Sequence, residues 1–380
     1  MSRRRDVVVV GGGPVGLAFA AAAAGRGLDV LVVEPRPYPI DKACGEGLLP
    51  AGVRALEALG VRQRLDPADA SPLRAIRWIE AGGVGGTPCA EARLPPPGGL
   101  GVRRTALSAA LLARAREAGA ELLAAEVLAH RRGADEVRLW TGRGGQGAGA
   151  EPGDELRASL LVAADGLASK VRRREGLDAP APGEAVGPGR FGLRRHVRVA
   201  SPGDAVEVHL GDGVEAYLTP AGAGRLGVAF LFRGRAEGGW NGLLTRFPAL
   251  AARLAGAPFA SEPLGAGPLA RGASALRLDR LVLLGDAAGY LDAITGEGLS
   301  LGLACALELA ALAPEALVRG ATRESLQPYE VAWRRRFEAH LRWTRLLLSL
   351  TRRPWLRRQA LGLGAAWPST FSRLVAAAVG

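Results

Sequence analysis

A glycine-rich turn near the N-terminus constrains the fold more than any other feature of the sequence. Residues 11–16 (GGGPVG) follow a β-branched run at 7–10 and precede an alanine-rich segment at 15–24, and a second apolar run follows at 29–33. Strand, turn, helix and strand in this order predict a Rossmann-type βαβ unit. The GxGxxG spacing allows a tight turn and lets the backbone approach a pyrophosphate at the helix N-terminus.

The position of this turn matters more than its glycine pattern. Residues 142–147 and 222–227 also match GxGxxG, but neither copy follows a strand and opens a helix. Only the first copy is followed, ~20 residues on, by an acid at the end of the second strand, Glu34, whose carboxylate can accept hydrogen bonds from adenosine ribose hydroxyls. An acid here favours FAD or NAD over NADP.

Two later segments carry further candidate cofactor contacts. In residues 160–173 (LLVAADGLASKVRR) an apolar strand leads to Asp165, although an ordinary β-turn also explains an Asp-Gly pair. In residues 281–303 (LVLLGDAAGYLDAITGEGLSLGL) a strand ends at Gly285-Asp286, and TGEG then opens a helix. Such a helix N-terminus stabilises negative charge, as on reduced flavin, and its two glycines leave space for a flat ring.

These three motifs, in this order, resemble the signatures of the FAD-dependent oxidoreductases of the para-hydroxybenzoate hydroxylase-like superfamily. Residues 41–47 (DKACGEG) and the TGEG segment are most similar to the geranylgeranyl reductase branch and related lipid-tailoring flavoproteins. The resemblance covers about residues 6–317 and implies one non-covalently bound FAD. Residues 104–107 (RTAL) match the family's RxxF/L position.

The motifs and the resemblance together give a set of expected FAD contacts. They are Gly11, Gly13, Pro14, Val15, Gly16, Glu34, Arg36, Cys44, Gly45, Gly47, Arg104, Val127, Asp165, Gly285, Asp286, Gly296, Gly298 and Leu299.

Two departures from related patterns bear on the reaction. The WxWxIP motif of flavin-dependent halogenases is absent, since residues 77–80 (RWIE) lack its second half, so halogenation is not expected. The reductase branch usually carries YxWxFP, whereas this chain has YLTP at residues 217–220, which weakens a prenyl-reductase assignment.

The predicted fold class is α/β: a Rossmann-type FAD-binding domain interrupted by an antiparallel β-sheet substrate domain, with a helical C-terminus. Alternating segments with Gly/Pro turns between residues 187 and 263 indicate the sheet. The expected FAD-binding domain comprises residues 1–75, 100–184 and 264–320, the substrate-binding sheet residues 76–99 and 185–263, and a basic amphipathic tail residues 321–380.

Three side chains are candidates for catalysis. Cys44 would lie beside the isoalloxazine by resemblance, either as a small apolar contact or in a redox role. His196 and Tyr217 lie on predicted strands, where they could orient a phenol or accept a proton, or simply pack. No metal site is expected, because the four histidines lack ligand spacing.

The positive charge is concentrated near the C-terminus. Of the net charge of +12, residues 331–380 contribute ten arginines against one acid, Glu338, interleaved with Trp and Leu. A basic amphipathic helix can pack on the FAD domain, which we favour, or lie on an anionic bilayer. Nucleic-acid binding is not expected without a recognised module.

The remaining composition bears on the compartment. Three widely spaced cysteines indicate a reducing, cytoplasmic setting, with association at the inner membrane face as the alternative. The N-terminus imitates a signal peptide, but its consecutive glycines and the apolar run that follows oppose that interpretation. The pattern shows no run of ~20 uninterrupted apolar residues for a spanning helix. It does not predict an oligomeric state.

Three functions follow as hypotheses. The leading one is an FAD-dependent monooxygenase: NAD(P)H docks transiently to reduce the flavin, which reacts with O₂ and hydroxylates a hydrophobic aromatic, phenolic-lipid or quinol substrate. The alternative is a C=C reductase of prenyl or polyene chains, similar to geranylgeranyl reductase. The third is a non-catalytic, flavin-bound protein that interacts with a membrane surface.

Overall fold

The computed structural model describes residues 3–81, 89–143, 152–181, 189–200 and 203–379. Up to residue 117 the elements are β1 (Arg4–Val10), α1 (Pro14–Ala24), β2 (Val30–Val33), β3 (Gly47–Leu48), α2 (Pro50–Ala58), β4 (Ala70–Leu73), β5 (Ala75–Glu80), β6 (Cys89–Arg93), β7 (Gly99–Val102) and α3 (Arg104–Glu117).

The middle of the chain is mostly β-structure. Its elements are β8 (Glu121–Leu123), β9 (Ala125–Arg132), β10 (Val137–Arg143), β11 (Pro152–Ala163), α4 (Lys170–Arg174), β12 (Asp178–Ala179), β13 (Arg190–Arg198), β14 (Ala205–Leu210), β15 (Val214–Pro220) and β16 (Arg225–Arg233).

Short helices and strands follow, and then long helices. They are α5 (Gly239–Leu244), α6 (Pro248–Arg253), β17 (Leu264–Ala266), β18 (Gly272–Ala273), β19 (Arg277–Leu278), β20 (Leu281–Leu283), α7 (Gly298–Val318), α8 (Gln327–Thr351), α9 (Pro354–Ala366) and α10 (Pro368–Val379).

The first sheet carries the dinucleotide-binding topology. Its strands run in the order β19, β20, β11, β1, β2 and β8, with β10 and β9 added beside β11. The four strand pairs from β20 to β8 are parallel, and residues 7–10 of β1 and all of β2 are apolar and buried, as expected for parallel strands covered on both faces. The alanine-rich α1 is buried almost all round, since α3 and α7 both pack against it.

The second sheet is mostly antiparallel, in the order β17, β13, β16, β15, β14, β5 and β6. Its strands come from residues 75–93 and 190–266, so they alternate along the chain with the segments of the first sheet: β1 and β2 come before them, β8 to β11 between them, and β19 and β20 after them. The predicted fold class is thereby confirmed: an α/β FAD-binding fold, interrupted by a largely antiparallel sheet and followed by helices. The exact domain boundaries stay a prediction.

The C-terminal helices pack on the rest of the molecule. Helix α8 lies against α7, and α9 and α10 lie against β6 at the edge of the second sheet. Arg357 of α9 is 3% exposed and pairs with Glu80 of β5 at 2.6 Å and with Asp212 at 3.0 Å. The C-terminal segment therefore packs on both the FAD-binding fold and the second sheet, whereas the sequence favoured packing on the FAD domain, with a bilayer surface as the alternative.

Helix α7 contains Glu308 and Glu315, so it does not contradict the expectation that the sequence has no run of ~20 uninterrupted apolar residues. It has 21 residues and, by length and composition, is apolar enough to cross a membrane. It packs against α1 and α2, and residues along its whole length are buried in that core. Of the two other GxGxxG matches, residues 222–224 lie at the turn between β15 and β16 and residues 225–227 begin β16, while residues 144–147 lie outside the described residues.

Candidate functional site

A cavity of 480 Å³ reaches from the first glycine-rich turn to the C-terminal helices. Its walls come from the turn after β1, the segment 40–49, the start of α3, the turns after β11 and β20, the second sheet and helices α8, α9 and α10. The three sequence motifs therefore meet at one cavity, at the carboxyl ends of parallel strands where α/β folds bind ligands.

The glycines of the first turn have two different tasks. Gly11 has φ +105°, and a Cβ there would overlap the carbonyl oxygen of Ala164, so this position needs glycine for the chain itself. Gly13 precedes Pro14 at the start of α1, and a Cβ on it would meet only Arg104 Nη2, at 4.0 Å. Gly13 thus leaves space in the cavity at the helix N-terminus, where a pyrophosphate would bind.

Glu34 lies behind this turn and is 3% exposed. Its carboxylate accepts hydrogen bonds from the backbone N–H of Gly12 at 2.8 Å and from the backbone and side chain of Arg36 at 2.8 to 3.1 Å. Burial raises the pKa of Glu34, but Arg36 and these hydrogen bonds outweigh burial and bring the pKa below its usual value. The half-exposed side chain of Arg36 occupies acceptor positions of this carboxylate that ribose hydroxyls could also use.

Four residues that line the cavity each carry a buried polar atom with no hydrogen-bond partner among the described residues. They are Arg104 Nε, Asp165 Oδ1, Arg194 Nε and Thr295 Oγ1, each from a separate segment. Buried polar atoms are almost always hydrogen-bonded, so four such atoms around one cavity indicate a polar ligand. Together with the space at Gly13, they fit the FAD that the sequence predicts.

Most of the predicted FAD contacts line this cavity. They are Gly13, Pro14, Val15, Arg36, Cys44, Gly45, Gly47, Arg104, Asp165, Gly285, Asp286, Gly296, Gly298 and Leu299.

Four predicted contacts lie elsewhere. Gly11, Gly16 and Glu34 support the turn from behind, where a Cβ on Gly16 would overlap Gly11. Val127 of β9 is buried among apolar strand residues, and its carbonyl accepts a hydrogen bond from Arg174 at 3.0 Å. The structure does not bring the Val127 side chain to the cavity, because it packs in the core of the first sheet.

The loop at residues 41–47 forms the cavity wall between the two sheets. Cys44 is half-buried and lines the cavity, and its sulfur accepts a hydrogen bond from the backbone N–H of Glu46 at 3.4 Å. Glu46 has φ +60°, a left-handed conformation that is unusual for a residue other than glycine. Such strain persists only where the surroundings hold the residue in place.

The contacts of Glu46 explain how it is held. One carboxylate oxygen accepts the backbone N–H of Arg104 at 2.9 Å, at the start of α3, and the other lies 2.5 Å from His196 Nε2 on β13. His196 Nδ1 lies 3.1 Å from Arg194, which also binds Asp41 at 2.5 Å. Glu46 thus joins the loop to α3 and to the second sheet.

His196 therefore has a different position from the one its candidate role needs. It is 3% exposed and lies behind Glu46, outside the cavity lining, so it contacts the loop and not a substrate. Sequence reasoning missed Glu46, although it lies inside the DKACGEG segment. It also missed Arg194, for which the sequence offers no signal.

Tyr217 of β15 does line the cavity, but its hydroxyl donates a hydrogen bond to the carbonyl of Ile294 at 3.1 Å. Burial, followed by the charge of Glu215, raises the pKa of Tyr217 well above its ordinary value, so it stays protonated. Behind it, Arg190 binds Glu215 at 2.6 Å and Asp292 at 2.7 Å. These contacts fasten the segment around Ile294, next to TGEG, to the second sheet.

Most of the rest of the cavity wall is apolar, although Arg194, Thr219, Thr351 and Arg357 also line it. Alternate residues of β16, Ala229 and Leu231, face the cavity, while Val228 and Phe230 face a separate core. Other apolar side chains of this wall are Ile76, Trp78, Val206, Val208, Leu210, Leu347, Leu350, Leu361 and Phe371.

Among the described residues, no group of three or more His, Cys, Asp or Glu side chains could hold a metal ion. His130 and His340 are each paired with one glutamate at 2.8 Å, Glu175 and Glu297 respectively. Both histidines therefore make ordinary paired contacts.

A Rossmann-type sheet, a glycine turn open to a cavity and unpaired polar atoms around it define an FAD-dependent oxidoreductase. A family model described as "FAD binding domain" matches residues 4–212. The chain belongs to the FAD-dependent oxidoreductases of the para-hydroxybenzoate hydroxylase-like superfamily, in the branch related to geranylgeranyl reductase.

Relatives extend over most of the chain. Digeranylgeranylglycerophospholipid reductase 2 of Methanopyrus kandleri is 31% identical over 347 residues, covering 87% of this chain and 83% of the relative. Menaquinone reductase of Mycolicibacterium smegmatis is 29% identical over 365 residues, covering 90% of this chain and 82% of the relative. The solved flavoprotein/dehydrogenase of Cytophaga hutchinsonii has a TM-score of 0.79 at 18% identity, covering 98% of this chain and 96% of that one, which shows a shared fold.

Proposed function

We propose that this flavoprotein reduces carbon–carbon double bonds in the prenyl chain of a lipid or quinone. The observation that carries the proposal is the apolar wall of the second sheet and of helices α8 to α10, which faces the FAD contacts across one cavity. A prenyl chain needs apolar surface and few polar partners. Relatives named as reductases of a digeranylgeranyl lipid and of menaquinone support the same class.

Reduction of an alkene adds one hydride and one proton. Reduced FAD would supply the hydride, and NAD(P)H is the proposed source of its electrons. Three cavity residues carry a thiol or phenol proton, namely Cys44, Tyr217 and Tyr290. The Tyr217 proton is donated to the carbonyl of Ile294, which leaves Cys44 and Tyr290 as candidate proton donors. Burial, followed by the charges of Asp286 and Asp292, raises the pKa of Tyr290 well above its ordinary value, so its phenol keeps its proton at neutral pH.

Hydroxylation, which the sequence favoured, has less support from the cavity. A phenol or quinol substrate needs a polar side chain to orient its oxygen. The two residues expected to do so are committed elsewhere, since the Tyr217 proton is donated to Ile294 and His196 lies behind Glu46. The monooxygenase hypothesis stays a prediction that the same experiment tests.

The test uses the FAD-loaded protein with a geranylgeranyl-chain phospholipid or menaquinone, in detergent and without air. We expect NAD(P)H or dithionite to drive formation of products heavier by two hydrogens per double bond, as read by mass spectrometry. A product heavier by one oxygen, formed only in air, would establish the monooxygenase instead. No change in either substrate would overturn both.

A variant of the apolar wall tests the site itself. Ala229→Phe adds a ring on the cavity face of β16, so the KM for a long-chain substrate should rise by roughly tenfold, with FAD stoichiometry unchanged. Ala229→Ser, similar in volume, is the matched control and should change KM far less.

A further inference from the structure

The cavity opens between two of the C-terminal helices. Leu346 of α8 and Leu374 of α10 both line the cavity, yet they are 47% and 55% exposed. A side chain that belongs both to the wall and to the surface marks the rim of an opening. Two apolar side chains therefore frame this mouth of the cavity.

Further exposed apolar side chains lie in the residues that follow Leu346 along the chain. Trp355 and Leu363 of α9 and Trp367, at the junction with α10, are 62%, 54% and 62% exposed and do not line the cavity. Helices α8, α9 and α10 pack on one another, so these side chains share one helical layer with the rim. Exposed apolar groups concentrated in one layer indicate a binding surface, whereas single ones are ordinary.

The same helices carry unpaired positive charge. Arg342, Arg345, Arg352 and Arg353 are exposed, and none is within ion-pair distance of a carboxylate in the part of the chain that the structure describes. Residues 331–380 contain ten arginines and one acid. Exposed Trp and Leu beside unpaired Arg is the combination that anionic lipid surfaces attract.

We propose that α8, α9 and α10 form a docking surface for an anionic phospholipid bilayer, with the mouth of the cavity facing the lipid. The surface is preformed, because the buried pair of Arg357 and Glu80 fixes α9 on the second sheet. The lipid's route from the bilayer through the mouth into the cavity rests on the proposed function. Docking itself rests only on the exposed side chains.

The test is sedimentation of the FAD-loaded full chain with phosphatidylcholine vesicles, with and without phosphatidylglycerol. We expect binding to the anionic vesicles that weakens with salt. The variant Trp355→Ser/Trp367→Ser should lower the vesicle affinity at least tenfold, and Arg342→Gln/Arg345→Gln/Arg353→Gln should remove the preference for phosphatidylglycerol. Phe259→Ser/Val318→Ser, at exposed apolar residues elsewhere, is the control and should bind as the parent does.

Failure of the parent chain to bind, or equal binding by all variants, would overturn the docking surface. If the Trp variant instead changes from dimer to monomer by size exclusion, with vesicle binding unaltered, the surface joins two copies of the chain. Vesicle binding without alkene reduction leaves docking standing and removes the proposed function. Reduction of a short, soluble prenyl substrate without vesicle binding would leave the proposed function standing and overturn the docking surface.

Discussion

The two walls of the cavity differ in how their buried polar groups are paired. On the cofactor side, Arg104, Asp165 and Thr295 each leave one buried polar atom without a partner among the described residues. On the side of the second sheet, the buried charges of Arg190, Arg194 and Arg357 are each paired with a carboxylate, although Arg194 Nε also has no partner among the described residues. Unpaired polar atoms indicate where a ligand binds, whereas paired buried charges hold the protein's own segments together.

The largest expected effect comes from breaking a paired charge on the sheet side. Arg357→Ala leaves the carboxylate of Glu80, 4% exposed, without its main partner, which should cost about 3–5 kcal/mol in the free energy of unfolding. Urea denaturation of the FAD-loaded protein measures it. Arg358→Ala is the control, because the exposed Arg358 lies 3.3 Å from the same Glu80 and should change stability by under ~1 kcal/mol. Equal effects of the two variants would contradict the assignment.

The next largest effect is a loss of FAD affinity on the cofactor side, with the stability of the apoprotein unchanged. Gly13→Val places a side chain in open cavity space, so FAD affinity should fall on the order of 100-fold, or about 2.8 kcal/mol. The melting temperature of the apoprotein should hardly change. Gly11→Val is the contrast: at φ +105° and against Ala164 it should destabilise the apoprotein itself. Tight FAD binding by Gly13→Val in a titration would contradict the placement of the FAD pyrophosphate at Gly13.

Glu46 lies where the two walls meet, so its effect should be intermediate. Glu46→Gln keeps the shape but removes the charge that accepts hydrogen bonds from Arg104 and His196, which should lower unfolding free energy by about 2 kcal/mol. Thermal denaturation with and without FAD measures it. Glu91→Gln, which removes an exposed pair with Arg77, is the control and should have little effect. A neutral Glu46→Gln would show that the loop is held by backbone contacts alone.

The smallest effect is a pH dependence on the sheet side. Burial raises the pKa of Glu207, but hydrogen bonds from His209 and Arg253 outweigh it and bring the pKa to about 2. Because the folded pKa is below the unfolded value, the stabilisation is complete above about pH 4.5 and is lost as the pH falls toward 2. Glu207→Gln should cost roughly 1 kcal/mol at neutral pH, since Arg253 is partly exposed, and progressively less in acid. A constant difference across the pH range would disprove the linkage.

The cofactor wall could be predicted from the sequence because its geometry is set by short contiguous segments. Strand, glycine turn and helix fix the space at Gly13, and the acid at the end of the next strand, Glu34, does bind the backbone of Gly12. The segments that contain Asp165 and Thr295 follow the same rule, since each comes directly after a strand of the first sheet or in the loop that follows one.

The sheet wall could not be predicted in the same way. His196 was recognised as a candidate, but its partner Glu46 is 150 residues away in the chain, and Arg194 is 153 residues from Asp41. No spacing in a single sequence reports such pairs. The resemblance places Val127 at the cofactor, whereas the packing of β9 puts its side chain in the core of the first sheet.

The C-terminal segment shows the same limit on a larger scale. Its periodicity predicts an amphipathic helix, and α8 does present Trp343, Leu347 and Leu350 to the cavity. The sequence pattern does not show what such a face meets. Three helices form where one was expected, and their outer surface keeps Trp355 and Trp367 exposed.

One continuous stretch, residues 327–379, supplies one wall of the cavity, so part of the proposed substrate contact lies apart in the chain from the glycine turn and Glu34. A chimaera that takes this stretch from a relative would retain the dinucleotide site and should accept substrate chains of a different length. Homologues could therefore diversify among lipids of different tail size by altering these three helices, with the glycine turn and Glu34 left untouched.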